Sequence, residues 1–187
     1  MDVKHVPTAC YVGIDGRKFY QYTIIDEADR ERFIFPFEEY SGYSTVCFVI
    51  KAIQHFGYIP EIIQTDNGSE FTNTKKTDKV HIFDQLCKAL GITHKLIRPR
   101  TPWHNGKVER SHRNDQERFY DYLSFYSYDD LKIQMKRWNY RSNNIPMAVL
   151  DWMTPLEKRQ ALAFPVKPSP EQRQALKAFA ARLHIRG

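Results

Sequence analysis

HKLIRPRTPWHNGKVERSHRNDQERFY, residues 94–120, is the stretch around which the rest of the chain is organised. It predicts a short strand, a basic turn with two prolines, and then a helix. Near the start of that helix, Glu109 stands among Lys107, Arg110 and Arg113. A carboxylate in a basic patch fits a divalent metal ion under a polyphosphate, because such metals take oxygen ligands and a nucleic-acid backbone needs cations. The alternative is a solvated, charged helix face.

A second acidic stretch lies upstream, in QTDNGSEF at residues 64–71. Ile62 and Ile63 begin a short apolar strand that ends just before Asp66. This order places Asp66 at the carboxyl edge of a sheet, where α/β proteins usually carry their sites. The alternative is a turn aspartate, since Asp-Asn-Gly is favourable turn chemistry.

The whole chain reads as an α/β layered domain with elements in the order β-β-β-α-β-α-β-α. Three strands in meander order come first, with period-two alternation over residues 32–37. Apolar spacing then predicts a helix over Ser44–Phe56 that is closed by Gly57 and a second over His81–Leu90 that is closed by Gly91. Thr72–Asp78 is polar and predicts an exposed loop. Capping residues predict further helices after Ser127, after Thr154-Pro155, and beyond the prolines of residues 165–170.

Charge is distributed unevenly along the 187 residues, whose net charge is +6. Residues 1–91 hold 10 Lys+Arg and 13 Asp+Glu, whereas residues 92–187 hold 18 and 9. A basic second half indicates a polyanionic partner. No apolar run is long enough to cross a membrane, and residues 1–10 lack the apolar core of a signal peptide. We therefore expect a cytoplasmic protein. Its cysteines are widely spaced and predict free thiols: Cys10, Cys47 and Cys87.

Three carboxylates thus fall at predicted sheet edges or on a helix beside the sheet: Asp2, Asp66 and Glu109. Three such groups that converge would repel one another unless cations neutralise them. Phosphoryl-transfer enzymes hold two divalent ions roughly 3.5–4 Å apart in such a site. Asp26, at the end of YTIID, is the alternative to Asp2.

Two motifs carry a resemblance to insertion-sequence transposases of the DDE type, in the retroviral integrase catalytic core superfamily. They are QTDNGSEF with Asp66 and PWHNGKVERSHR with Glu109, accompanied by MDVKHVP at Asp2 and IPMAVLDWMTPLEKR near residue 150. The resemblance covers roughly residues 2–160. It implies a ribonuclease-H-like fold: a five-stranded mixed sheet in order 3-2-1-4-5, flanked by helices, here with a helical C-terminal extension. It also implies cleavage of transposon ends and strand transfer to target DNA, by a homo-multimer that uses two Mg²⁺ or Mn²⁺ ions.

The resemblance also implies roles for single residues. Asp2, Asp66 and Glu109 match the catalytic, metal-binding triad, with 42 residues between the last two. The family uses about 35, and we expect the excess in the loop Thr72–Asp78. The remaining matched or basic positions are expected to contact DNA: Asn67, Lys95, Arg98, Arg100, Asn105, Lys107, Arg110 and Arg113.

The chain departs from the family pattern at its start, where only Met1 precedes Asp2. We therefore expect a truncated first strand and no helix-turn-helix region. The predicted organisation is a catalytic core over residues 1–122, a helical extension over 123–164, and a linker with a basic helix over 165–187. Two rival functions stay open: a ribonuclease-H-like nuclease that cuts without joining, and an inactive DNA-binding remnant.

Overall fold

The computed structural model describes residues 1–97, 106–162 and 167–183. Its strands and helices, numbered in chain order, are β1 (Asp2–His5), β2 (Tyr20–Ile25), β3 (Arg32–Phe37), α1 (Gly42–Phe56), β4 (Ile62–Thr65), α2 (Ile82–Leu90), β5 (Thr93–Leu96), α3 (Gly106–Arg118), α4 (Tyr128–Asn143), α5 (Pro155–Ala161) and α6 (Pro170–Arg182). They form two compact units. The meander unit comprises residues 2–39 and 105–164, and the parallel-pair unit comprises Met1, residues 40–104 and residues 165–187.

The meander unit is built on an antiparallel sheet in the order β1-β2-β3. Burial along β3 alternates with period two, as the sequence predicts, but the buried set begins with Arg32 and continues with Ile34 and Pro36. The intervening phenylalanines are half-buried. Pro36 is tolerated because β3 is an edge strand of this sheet, where a missing backbone N–H costs no ladder bond.

The hydrophobic core of the meander unit lies where α4 and the segment after α3 cover the sheet. Its buried members are Val6, Cys10, Phe19, Ile34, Tyr120, Leu123, Phe125, Leu131, Met135 and Trp138. The backbone joins these layers as well: Val12 N donates to Phe125 O at 3.0 Å and Phe125 N donates to Cys10 O at 2.9 Å. This core therefore brings together residues from distant parts of the sequence.

A buried ion pair crosses this core. Asp115 of α3 is fully buried, and its Oδ1 lies 2.7 Å from Arg32 Nη2. The same carboxylate accepts hydrogen bonds from Gln21 Nε2 and Trp138 Nε1, both at 2.7 Å. Burial alone would raise the pKa of Asp115, but Arg32 and the two hydrogen bonds outweigh it and hold that pKa below its ordinary value. One carboxylate thus links β2, β3, α3 and α4.

The parallel-pair unit contains β4 and β5, which run parallel with Thr65 paired to Leu96. Helix α1 begins at its cap, Ser41, and ends at Gly57, whose φ of 77° lies in the left-handed region that favours glycine. Gly91 ends α2 in the same way, with a φ of 73°. Helix α6 packs on α2, where Gln172 Nε2 donates to Leu90 O at 2.9 Å.

The observed sheets reproduce two parts of the strand order 3-2-1-4-5 that the family resemblance implies. The three strands of the meander are ordered 3-2-1, and β4 is beside β5. The remaining step, β1 beside β4, stays a prediction, as do the domain boundaries at residues 122 and 164. Among the described residues, no helix is both long and apolar enough to span a membrane.

We predict that Asp115→Ala lowers the free energy of unfolding by about 3–5 kcal/mol, because it leaves the Arg32 charge buried without its partner. Urea unfolding at pH 7 measures the change. The matched control is Glu117→Ala, an exposed position of the same helix, which should shift stability by less than about 0.5 kcal/mol.

The sign of the pH dependence follows from the lowered pKa of Asp115. Its contribution is present above the ordinary carboxyl pKa, about 4, and is lost as the pH falls through the lower folded-state value. The difference between the wild-type chain and Asp115→Ala should therefore shrink in acid. A variant as stable as the wild-type chain at pH 7 would contradict the role given to this ion pair.

Candidate functional site

Asp2 and Glu109 both belong to the meander unit. Asp2 is the first residue of β1 and is paired in register with Thr23 of β2, and Glu109 is exposed in the first turn of α3. His112, three residues after Glu109, has Nδ1 3.6 Å from Asp2 Oδ2 and Nε2 3.2 Å from Thr23 Oγ1. Since residues three apart share a helix face, Glu109 lies one turn before His112 on the same side of α3.

His112 is a largely buried neighbour of Asp2, with 14% of its side chain exposed. Burial lowers the pKa of His112 to about 4, so the ring is neutral at pH 7. Lys4 Nζ approaches the backbone oxygen of His112 at 3.5 Å. Asp2 therefore lies against a neutral imidazole.

The rotation of α3 about its axis is set by its buried side. Val108, Ser111 and Asp115 are its buried residues, with the i, i+3, i+7 spacing of one helix face. Arg32 Nη1 donates to Ser111 Oγ at 2.6 Å, beside its ion pair with Asp115. Fixing this face leaves Glu109 and the basic residues Arg110 and Arg113 exposed.

Asp66 lies in the parallel-pair unit, directly after β4. Its Oδ1 accepts from Gly68 N at 3.0 Å, which is the turn role that the sequence offered as the alternative. Among the described residues of this unit, none donates a hydrogen bond to Oδ2. Asn67 Nδ2 donates to Ile97 O at 2.9 Å and ties this turn to the end of the neighbouring strand. The turn thus fixes the backbone of Asp66 and leaves one carboxylate oxygen available.

A second hydrogen-bond chain supports the same strand end. Thr65 Oγ1 lies 2.8 Å from His94 Nε2, and His94 Nδ1 lies 2.7 Å from Asp84 Oδ1. These hydrogen bonds join β4, β5 and α2 next to Asp66. The end of β4 is therefore fixed both by this network and by the bond from Asn67 to Ile97.

Glu70 is an acidic neighbour of Asp66 that the sequence reasoning did not single out. It is 9% exposed, and burial, together with the charge of Asp66, raises its pKa. A Cβ at Gly68 would lie 2.6 Å from the carboxylate of Glu70, so the glycine gives that side chain its space. The signal for Glu70 in the sequence is its place in the same turn motif, four residues after Asp66.

The residues predicted to contact DNA have several surroundings. Lys95, Arg110 and Arg113 are exposed, Lys107 Nζ is paired with Glu27 Oε1 at 2.6 Å, and the Asn67 amide is used by the turn. Three other predicted residues lie outside the described part of the chain: Arg98, Arg100 and Asn105.

Asp26, the alternative to Asp2, serves a turn. Its Oδ1 accepts from Ala28 N at 2.7 Å and from Asp29 N at 3.2 Å. That is the ordinary role of an aspartate after a strand, and the choice of Asp2 over Asp26 stays a prediction.

The three predicted metal ligands are divided between the two units, with Asp66 in one and Asp2 and Glu109 in the other. Within neither unit do three or more His, Cys, Asp or Glu side chains of residues 1–97, 106–162 and 167–183 form a metal-holding group. The assembly of the triad, and the catalytic role of each member, stay predictions.

Solved structures with a similar fold identify the fold class of this chain. The catalytic core of HTLV-2 integrase in complex with magnesium, in its trimeric form, superimposes with a TM-score of 0.62 at 18% identity, over 83% of this chain and 90% of that one. A simian T-cell lymphotropic virus intasome gives a TM-score of 0.67 at 19% identity, over 90% of this chain and 55% of that one. The fold is therefore the ribonuclease-H-like fold of retroviral integrase catalytic cores.

Sequence comparison identifies the family. Residues 1–102 match the integrase core domain family, and residues 90–155 match a second integrase core domain family. The chain belongs to the integrase core domain family. A protein named as an integrase in a Spiroplasma virus is 36% identical over 124 residues, which are 61% of this chain and 33% of that protein. The chain thus spans a third or less of the curated relatives it matches first.

We predict that Glu70→Gln removes a pH dependence of stability from the turn that carries Asp66. Because the folded-state pKa of Glu70 is raised, the folded chain binds its proton more tightly than the unfolded chain. Wild-type stability should gain from this group as the pH falls from 7 through the raised pKa, and Glu70→Gln should be the more stable form at pH 7.

Denaturant unfolding between pH 7 and pH 4 measures that difference, with exposed Glu61→Gln as the matched control. The control should keep the wild-type pH profile. If the stability of Glu70→Gln changed with pH in parallel with that of the wild-type chain, burial would not raise the pKa of Glu70.

Proposed function

We propose that this chain is the catalytic domain of a DDE integrase or transposase, a polynucleotidyl transferase that cuts DNA strands and joins them to target DNA. The observation that carries the proposal is the integrase core domain match over residues 1–102. That range includes Asp2 and Asp66, and the second match, over residues 90–155, includes Glu109. An assay of DNA cutting and joining distinguishes this function from a nuclease that only cuts and from an inactive DNA-binding remnant.

The donor set fits divalent metal ions. Asp2, Asp66 and Glu109 offer only carboxylate oxygens, the ligands that Mg²⁺ and Mn²⁺ prefer. Asp66 is held by its turn through one oxygen and keeps the other available, and Glu109 is exposed. Two bound ions would supply activation of the attacking oxygen and stabilisation of the leaving oxygen. In support, the related HTLV-2 core is a magnesium complex.

The chain's own residues would bind and orient the DNA. Arg110 and Arg113 flank Glu109 on the exposed side of α3, where guanidinium groups can hold phosphates next to the reacting bond. Lys107 is paired with the exposed Glu27, and a surface ion pair of this kind is weak enough to exchange for a phosphate. His112 fills the space between α3 and Asp2 and limits the positions that the Asp2 carboxylate can adopt.

A multimer on DNA is part of the proposal. The related viral proteins are an intasome and a trimeric form of a catalytic core. We propose by analogy that copies of this chain assemble on paired transposon ends and on target DNA.

Glu109→Gln should abolish Mn²⁺-dependent nicking of supercoiled plasmid, by at least about a hundredfold, because a catalytic carboxylate is lost while DNA binding is kept. Asp66→Asn should do the same. The matched controls are Glu117→Gln on the same helix and Asp78→Asn in the exposed loop, which should cut like the wild-type chain.

A second arm supplies labelled DNA ends and a plasmid target. Joined products support the transferase and exclude a nuclease that only cuts. Cutting without joined products would instead favour the plain nuclease, and a wild-type chain that neither cuts nor differs from Glu109→Gln would favour the inactive remnant. Full nicking by Glu109→Gln would remove Glu109 from the site.

A further inference from the structure

A basic groove in the meander unit lies away from the candidate catalytic residues. It has a volume of about 250 Å³ and runs between the C-terminal end of α3, the segment that follows it, and one face of α4. Arg118, Arg137 and Arg141 line it. Arg118 stands nine residues after Glu109 on α3, which is about 14 Å along the helix axis.

These arginines are open to solvent. In the part of the chain that the structure describes, none of the three forms an ion pair, and all three are exposed. Two acidic side chains of the same segments accept hydrogen bonds from neutral amides: Asp121 from Gln116 Nε2 at 2.7 Å, and Asp130 from Gln134 Nε2 at 3.0 Å. Three cations in one groove repel each other until an anion binds.

Helix geometry explains only part of this arrangement. Arg118 and Arg141 are in the last turns of their helices, where cations offset the partial charge of free carbonyls. Arg137 lies one turn before Arg141 and gains nothing from that effect.

The floor of the groove is aromatic. The rings of Phe119 and Trp138 stack with centroids 5.7 Å apart and an interplanar angle of 2°. Trp138 Nε1 is held by Asp115 at 2.7 Å, so the floor is anchored to the buried ion pair. Tyr122, at the rim, is 83% exposed. An exposed ring beside cations is the combination that binds unpaired bases and their phosphates.

We propose that this groove binds an unpaired stretch of DNA, with Arg118, Arg137 and Arg141 on the phosphates and Tyr122 stacked on a base. An unpaired stretch is chosen over a duplex because the bases of a duplex are already stacked on one another and leave no face for Tyr122. The site goes beyond the proposed function, since it needs neither the metal ligands nor strand transfer.

The test measures anisotropy of a short fluorescent oligothymidylate with the 187-residue chain across a salt series. The combined variant Arg118→Gln, Arg137→Gln, Arg141→Gln should bind at least about tenfold more weakly. Its slope of log affinity against log salt should be shallower by about 2, because each single-strand phosphate contact contributes about 0.7.

The charge-matched control combines Lys136→Gln, Arg173→Gln and Lys177→Gln, all exposed positions outside the groove. This control should keep the wild-type affinity to within about twofold and keep the wild-type slope. Equal loss in the groove variant and the control would overturn the proposal, since binding would then follow net charge alone.

Tyr122→Ser isolates the stacking contact. It should weaken binding of the oligothymidylate and leave unchanged the binding of an abasic oligonucleotide of equal length. Unchanged oligothymidylate binding would overturn the role of Tyr122. All binding is measured without a divalent metal ion, so a failure of the catalytic proposal is distinguishable from a failure of this one.

Discussion

The buried ion pair between Arg32 and Asp115 is the interaction on which the meander unit depends. It connects the edge strand of the sheet to α3, and the same carboxylate holds Gln21 on β2 and Trp138 on α4. Breaking such a pair costs more than forming it gains, because the remaining charge stays buried. The pair therefore specifies one arrangement of these elements more than it adds net stability.

This constraint matters because α3 has little apolar surface of its own. Of its buried residues, only Val108 is apolar; the others are Ser111 and Asp115. Hydrophobic burial could not fix the rotation of so charged a helix, and the bonds from Arg32 do so instead. The consequence reaches both ends of α3: His112 contacts Asp2 at one end, and the aromatic floor beside Arg118 is held at the other.

The sequence predicts the strands and helices better than it predicts which polar side chains are buried between them. Period-two alternation over residues 32–37 identifies β3, but it cannot tell which set is buried, and Arg32 is buried in place of the phenylalanines. From the sequence, Asp115 is one member of a charged run, because its partners Arg32 and Gln21 are 83 and 94 residues away. Turn chemistry locates Asp66, whereas the burial that shifts the pKa of Glu70 and of His112 cannot be read from the sequence.

The measurement that tests the central claim most directly is Mn²⁺ binding to the intact chain by calorimetry, beside Asp2→Asn, Asp66→Asn and the control Asp78→Asn. The account predicts that the wild-type chain and the control bind the metal, and that loss of either Asp2 or Asp66 abolishes binding, because both carboxylates serve one site. Wild-type affinity in Asp66→Asn, or no binding by the intact chain, would contradict a metal-dependent strand transferase.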